Sequence, residues 1–310
     1  IRTAPTGCKE AWVTALGSDG FVSAVLVLIY TLRRYSEKDR DVVVLVSSAV
    51  SEPVVQQLVH ECVRVVVVDP FEGNELAREL VSKSPRYASG YWVVKMFVWR
   101  LEEYSKAVYV DADIYMRDSA DALFCPKVGT GGGKLLAVTP RSSQSATAGF
   151  NAGMFSYAPQ RAVYDGLLER FLQLTPAKML ATSEQDFLNE HFKGKYAIVP
   201  IDFIMKHRRS VKEPGKWDDA RIKGYHMNGN PKPWHPEWMT ECAYPEGHQK
   251  YLQQYVEFFT EWWGYYYGMV GKEPPEDRKQ WALEPRHDPK GTFRMWDPAM
   301  YVCPLEDEKD

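Results

Sequence analysis

Along the first half of the chain, short apolar runs alternate with stretches whose apolar residues recur at helical spacing. Residues 11–16 predict a strand, and Val22, Val25, Leu26 and Ile29 then fall on one face of a helix. Residues 42–46 predict a second buried strand. Ser51, Glu52 and Pro53 form a helix start that leads through Leu58 and Val59. A third strand is expected over 63–68, a helix over 72–81, and another helix over 92–104. That last helix delivers the chain to Val108, Tyr109 and Val110, whose β-branched and aromatic side chains predict a buried strand. The alternation predicts an α/β fold, a mostly parallel sheet with helices on both faces.

Further along, residues 129–133 are rich in glycine. A phosphate cradle would need a strand before and a helix after, whereas 134–138 reads as a strand, so a surface turn is expected. A short strand over 154–157 and helices over 161–174 and 184–192 follow. From about Trp234 the texture changes. Residues 257–268 are dense in aromatics and predict the packing face of a C-terminal helix, and the end beyond Glu273 is rich in proline and charge.

Composition narrows the class only a little. With 310 residues, 45% hydrophobic and 25% charged, the chain is an ordinary globular one. A net charge of −3 gives no overall pull toward nucleic acid or an anionic membrane. The five cysteines are scattered without a CxxC pair, which fits reduced thiols and leaves room for one or two bridges. There is no Asn-x-Ser/Thr sequon, and the apolar run from Ala24 to Tyr30 is far too short to span a membrane. These features favour a cytoplasmic protein. The chain opens at Ile1, so a Golgi or ER lumenal protein with its upstream anchor removed is the alternative.

Asp111 and Asp113 stand one residue apart where the strand 108–110 should reach the edge of its sheet. Side chains two apart in extended chain point the same way, so both carboxylates could face one hard cation. Ligands of open α/β sheets sit beyond the carboxyl ends of the strands, where this pair falls. Asp39 and Asp41 have the same spacing in a polar loop, so spacing alone decides nothing. A structural zinc site from His226, His235, Cys242 and His248 matches no standard ligand pattern.

Other segments follow in order: Trp12 to Phe21, Val94-Lys-Met96, Phe150-Asn-Ala-Gly-Met154, Ser183-Glu-Gln-Asp-Phe-Leu-Asn189 and His226-Met-Asn-Gly-Asn-Pro-Lys-Pro-Trp234. With the Asp pair they make the chain resemble glycosyltransferase family 8, which contains glycogenin and galactinol synthase. The resemblance runs over about 11–234, and its most specific element is H-x-x-G-x-x-K-P-W. It implies a GT-A fold, a nucleotide-binding α/β sandwich, that moves a hexosyl unit from a nucleotide sugar, usually UDP-linked, with retention. It implies a catalytic domain over 1–234, with a nucleotide-binding half to about 115 and an acceptor half from about 116. Residues 235–310 would be a helical, aromatic-rich extension packed on it.

The resemblance also assigns roles. Asp111, Asp113 and His226 would hold Mn²⁺, with Mg²⁺ the second candidate, and Ala112 lies between the two aspartates. Lys232 would stabilise the leaving diphosphate, and Gly229 would let backbone approach it. Lys95 and Arg86 are candidates for the diphosphate or donor sugar. Leu16, Ser18 and Phe21 match positions around uracil and ribose, with core packing the other reading of Leu16. Asn151 and Ala152 correspond to the donor-sugar pocket. Glu184 and Gln185 align with a family Asp-Gln pair, and either Glu184 or Asp186 could contact the sugar hydroxyls.

The expected partners are a UDP-sugar donor and a separate hydroxyl acceptor: a carbohydrate, polyol or glycoconjugate. Nucleic acid and a membrane segment are not expected, and a homodimer is compatible. Residues 197–224 contain no tyrosine, which argues against a glycogenin-type primer, although Tyr225 and Tyr265 to Tyr267 could accept sugar. Self-glycosylation and a catalytically silent sugar-nucleotide binder are the alternatives. Asp202, Phe203 and Ile204 stand where family members often carry Tyr-Asn, which predicts an unusual acceptor pocket.

Overall fold

The computed structural model describes residues 9–69, 75, 79, 91–129, 133–141, 149–213 and 215–281. At its centre lies a seven-stranded sheet. β1 (Glu10–Leu16) lies between β2 (Asp41–Ser47) and β4 (Lys106–Val110), parallel to both, and β3 (Arg64–Val68) extends the parallel set beyond β2. On the far side, β7 (Phe150–Tyr157) runs against β4 and also against β6 (Leu136–Pro140), which in turn pairs in parallel with β8 (Tyr196–Ile198). The order is therefore β3-β2-β1-β4-β7-β6-β8, with β7 alone reversed.

Strand alternation sorts the core into two layers. Val108 and Val110 pack toward Trp12, Val44 and helix α1 (Val22–Tyr35), while Tyr109 points to the opposite face with Trp99 and Phe155. α1 is buried on nearly every side, from Val22 to Leu32, because helix α8 (Leu252–Val270) covers the face that the sheet leaves free. α8 buries Tyr255, Val256, Phe259, Trp262, Trp263, Tyr266 and Tyr267, as the aromatic pattern predicted, and ends at Gly271 with φ +71°. Each large aromatic so buried contributes on the order of 2–3 kcal/mol.

Three features depart from the sequence reading. The helix expected over 92–104 is α3 (Tyr91–Met96), followed by a 3-10 turn over Phe97–Arg100. Phe97, Val98 and Trp99 all face inward, which three consecutive residues of a regular α-helix cannot do on one face, so the turn tightens. A small second sheet, β5 (Ile114–Met116), β10 (Gly224–His226) and β9 (Met205–Lys206), was not foreseen, since its strands are too short to show periodicity. Cys242, grouped above with reduced thiols, is disulfide-bonded, whereas Cys62 and Cys125 are free. The helix expected over 72–81 lies mostly outside the described residues. No described helix is long and apolar enough to cross a membrane.

Candidate metal centre

The Asp pair lies in a turn between β4 and β5, rather than in extended chain. Ile114 N donates to Asp111 O at 3.1 Å, closing the turn, and Asp111 N donates to Gly153 O at 2.7 Å. β5 then pairs antiparallel with β10, so that Ile114 stands opposite His226, and Met227 N donates to Asp113 O at 2.8 Å. One ligand atom from each of Asp111, Asp113 and His226 lies within 4.8 Å of the others; His226 Nε2 is 3.1 Å from Asp113 Oδ1. The carboxylates converge because the turn and the small sheet fold them onto the histidine, not because of a period of two. Among the described residues this is the cluster suited to a metal ion. The four-residue zinc alternative is not assembled: His248 Nδ1 sits 2.6 Å from Tyr255 OH and Cys242 is in a disulfide.

Each aspartate has a lysine. Lys95, 1% exposed, reaches Asp111 Oδ1 at 2.9 Å and Glu184 Oε1 at 2.6 Å. Tyr109 OH donates to the same Asp111 oxygen at 2.9 Å, a direct result of its place on the strand face opposite Val108 and Val110. Lys232 Nζ donates to Asp113 Oδ2 and, at 2.6 Å, to Met227 O. Burial alone would raise the Asp113 carboxyl, but Lys232 and His226 hold it well below its usual range. Burial also works against the Lys95 ammonium, and Asp111 and Glu184 more than reverse it, so Lys95 stays charged. Glu184 is pushed up to about 7, by burial first, with Lys95 opposing and Asp111 reinforcing.

Helices α4 (Arg161–Leu172) and α5 (Pro176–Ala181) lead into helix α6 (Glu184–His191), which positions Glu184. Ser183 caps it by accepting from Asp186 N at 3.1 Å. That cap turns Asp186 outward, where Arg141 Nη1 meets its Oδ1 at 2.6 Å and the side chain is 48% exposed. Of the two acids left open by the sequence, Glu184 faces the lysine and Asp186 does not. Gln185 Oε1 accepts from Ala152 N at 3.3 Å, and Asn151 Oδ1 accepts from Gly153 N at 2.8 Å, so β7 and α6 are tied beside the centre. Asn189 strengthens the tie, donating to Phe150 O at 2.9 Å and to Gln185 O at 2.7 Å.

The remaining candidates divide. Gly229 takes φ +88° beside the Arg208 guanidinium, with which a Cβ would collide. Phe21 packs edge-on against Trp234, with ring centroids 5.4 Å apart, and Lys232 Nζ lies 5.8 Å from the Phe21 ring centre. Ser18 is exposed, just ahead of the turn carrying Phe21. Leu16 is fully buried in the core, so only its backbone at the end of β1 is available, and Ala112 is buried in the same cluster. Arg86 lies outside the described residues. Tyr109, Arg141, Gly153 and Asn189 received no role from the sequence. Gly153 carried a signal, its place in Phe150-Asn-Ala-Gly-Met154: a Cβ there would stand 2.9 Å from the His226 ring.

The C-terminal helix supports the site from behind. Trp263 Nε1 donates to Pro233 O at 3.0 Å, and Trp262 packs against Trp234 with centroids 5.4 Å apart, fixing the loop that carries Lys232.

Comparison with known proteins points one way. A family model described as glycosyl transferase family 8 matches residues 13–237. Galactinol synthase 1 of Solanum lycopersicum is 30% identical over 243 residues, covering 72% of this chain and 73% of that protein. Glycogenin-1 of Caenorhabditis elegans is 28% identical over 242 residues, 73% of this chain but 51% of its own length, so this chain spans about half of that relative. Among solved structures, the galactosyltransferase LgtC, determined in complex with donor and acceptor sugar analogs, superposes with a TM-score of 0.53. It is 18% identical, and the match covers 80% of this chain and 95% of that one. The glycosyltransferase GlyE of Streptococcus pneumoniae TIGR4 gives a TM-score of 0.54 at 15% identity, covering 83% and 63%.

Proposed function

The chain belongs to glycosyl transferase family 8, and from that premise we propose that it moves a hexosyl unit from a UDP-sugar to a separate hydroxyl acceptor, with retention. The observation that carries this reading is the convergence of Asp111, Asp113 and His226 at the end of β4, with Lys95 and Lys232 against the carboxylates. Two carboxylates and one imidazole suit Mn²⁺, with Mg²⁺ second. Such an ion, when bound, would neutralise a diphosphate and the charge that grows on it as the glycosidic bond breaks.

The chain's own groups supply the rest. Lys232 holds an ammonium beside the centre, braced by Trp234 and α8, as a stabiliser of the departing diphosphate. Gly229, at positive φ, lets its loop close against the Arg208 guanidinium, where a Cβ would collide. Glu184 is tied to Lys95, and Gln185 to the backbone of Ala152, so neither is arranged as a free nucleophile. We therefore infer front-face attack, with the departing phosphate oxygen taking the acceptor proton. Trapping a covalent glycosyl–Glu184 species would defeat this mechanism. We assign the catalytic part to 1–234 and the extension to 235–310, a division supported by the contacts of α8 with Pro233 and Trp234.

Separate-acceptor transfer is supported by the tyrosines that could have served as primers. Tyr225, Tyr266 and Tyr267 are buried, and Tyr265 OH lies 3.0 Å from Tyr35 OH. The test is UDP release from a panel of UDP-sugars with and without Mn²⁺, together with intact mass. Release that requires Mn²⁺, with no hexose added to the protein, is expected. Asp113→Asn should lower it by about 100-fold or more, the scale of losing one transition-state stabiliser. Undiminished release in that variant would refute the metal assignment.

A further inference from the structure

Beside the metal centre, positive charge outnumbers negative. β9 and helix α7 (His207–Lys212) bring Lys206, Arg208, Arg209 and Lys212 to one open cavity of about 380 Å³, completed by Glu213 and His248. The chain as a whole is net negative, yet here four cations meet one carboxylate, and Lys216 already engages that carboxylate at 2.9 Å. Among the described residues none of the four cations forms a salt bridge. Arg208 Nη2 donates to Asn230 O at 2.6 Å while its Nε is buried without a partner, and Arg209 Nη2 reaches Arg141 O at 3.4 Å. Burial, with Arg209 and Arg141 adding to it, lowers the Lys206 ammonium from its usual range. The fold holds these like charges together against their repulsion, and an anion would relieve it.

The cavity's position ties it to the reaction. Lys206 is the register partner of His226 in the parallel β9–β10 ladder, so both side chains leave the same face of the small sheet. Arg208 backs the Gly229 turn. Arg141, whose carbonyl meets Arg209, is paired with Asp186, two residues from Glu184.

Resting on the glycosyltransferase reading above, we propose that this cavity seats the phosphate of a phosphorylated acceptor whose hydroxyl is thereby turned toward the donor site. The Arg209 guanidinium, the part of the Arg208 guanidinium left free by Asn230, and two ammonium groups match a dianion with three acceptor oxygens; a carboxylate would offset one charge and leave most of the surplus. The volume falls near the lower end for small-molecule pockets, about 300–1,000 Å³, enough for a phosphate and part of a ring. In the transfer, the acceptor oxygen bonds to the anomeric carbon as the bond to UDP breaks. That electron pair leaves on the diphosphate, which takes the hydroxyl proton, and the acceptor's own phosphate is unchanged.

The direct test is calorimetry with inorganic phosphate on protein saturated with UDP and Mn²⁺, so that the donor site is already filled. Binding is expected in the wild type, weakened about tenfold or more in Arg209→Gln/Lys212→Gln, as loss of a charge-assisted contact implies. No binding, or equal binding in the variant, overturns the proposal. Rates with sorbitol, gluconate and sorbitol 6-phosphate, and with vesicles with or without phosphatidylinositol 4-phosphate, whose 4-phosphate is likewise a monoester dianion, then identify the phosphate's source. Preference for sorbitol 6-phosphate indicates a soluble acceptor and preference for phosphatidylinositol 4-phosphate a lipid headgroup, and either supports the cavity assignment. Gluconate or sorbitol matching the best phosphorylated acceptor overturns it. Acceptor-free UDP release is the reference: if it is absent, the glycosyltransferase reading has failed, and if it persists without phosphate binding, only this inference has.

Discussion

The metal centre and the basic cavity next to it treat charge in opposite ways. At the centre, Asp111, Asp113 and Glu184 are opposed by Lys95 and Lys232 at hydrogen-bonding distance, and every one of these side chains is largely buried. In the cavity, Lys206, Arg208, Arg209 and Lys212 have nothing comparable among the described residues. Near balance makes the first region rigid and ready: its groups are held in place before any ligand arrives. Imbalance makes the second dependent on what it binds. The two regions share a sheet face through His226 and Lys206, so the contrast is between neighbours.

The largest expected effect breaks the balanced side. Lys95→Met leaves Asp111 and Glu184 without their shared cation and should destabilise the fold by about 3–5 kcal/mol in urea unfolding. Adding Glu184→Gln should recover part of that loss; independent, additive effects would mean that Lys95 and Glu184 do not act as a pair. Next comes Lys232→Met. It should cost about 100- to 1,000-fold in kcat with a smaller change in donor KM, because the charge it opposes grows in the transition state. A loss confined to KM would make Lys232 a ground-state binder only.

Acid tests two histidines, one of them next to Lys232. His191 and His235 are both held down to about 4, burial being the main cause and nearby cations the second. Their folded values lie below the unfolded value, so the unfolded chain takes up protons first. Stability is complete above about pH 6.5 and falls as pH drops toward 4, by about 1–2 kcal/mol per histidine near pH 5. His191→Gln should flatten that slope; an unchanged slope would remove His191 from the account. The smallest effect belongs to the cavity: Lys206→Met should leave stability within about 0.5 kcal/mol of the wild type or raise it slightly, since it relieves repulsion. A loss of several kcal/mol would mean that Lys206 has a partner after all, and would erase the contrast.

Much of this could be read along the chain. The alternation of apolar runs placed β1, β2, α2 (Glu52–His60), β3 and β4 within about two residues of their observed bounds and marked the start of α1, because each buries a continuous or periodic apolar set. His226, Gly229, Lys232 and Trp234 were legible as one spaced motif. Tyr109 and Asn189 were not, since their contribution is a hydroxyl on Asp111 and an amide between β7 and α6, contacts made across long sequence separation. The choice between Glu184 and Asp186 was also closed to sequence, for it turns on which acid the Ser183 cap directs outward.

What the sequence determined by itself was the kind of chemistry: two carboxylates, a histidine, two lysines, and the periodic apolar pattern that builds a sheet to carry them. Local patterning suffices there, because burial of periodic apolar residues is a property of short segments. Only the tertiary structure decided how those groups meet. A turn and a three-stranded sheet, too short to leave a periodic trace, fold Asp111 and Asp113 onto His226, and the same sheet sets Lys206 beside them. Charges acquire partners, or are left without them, through long-range packing, and no stretch of sequence carries that information.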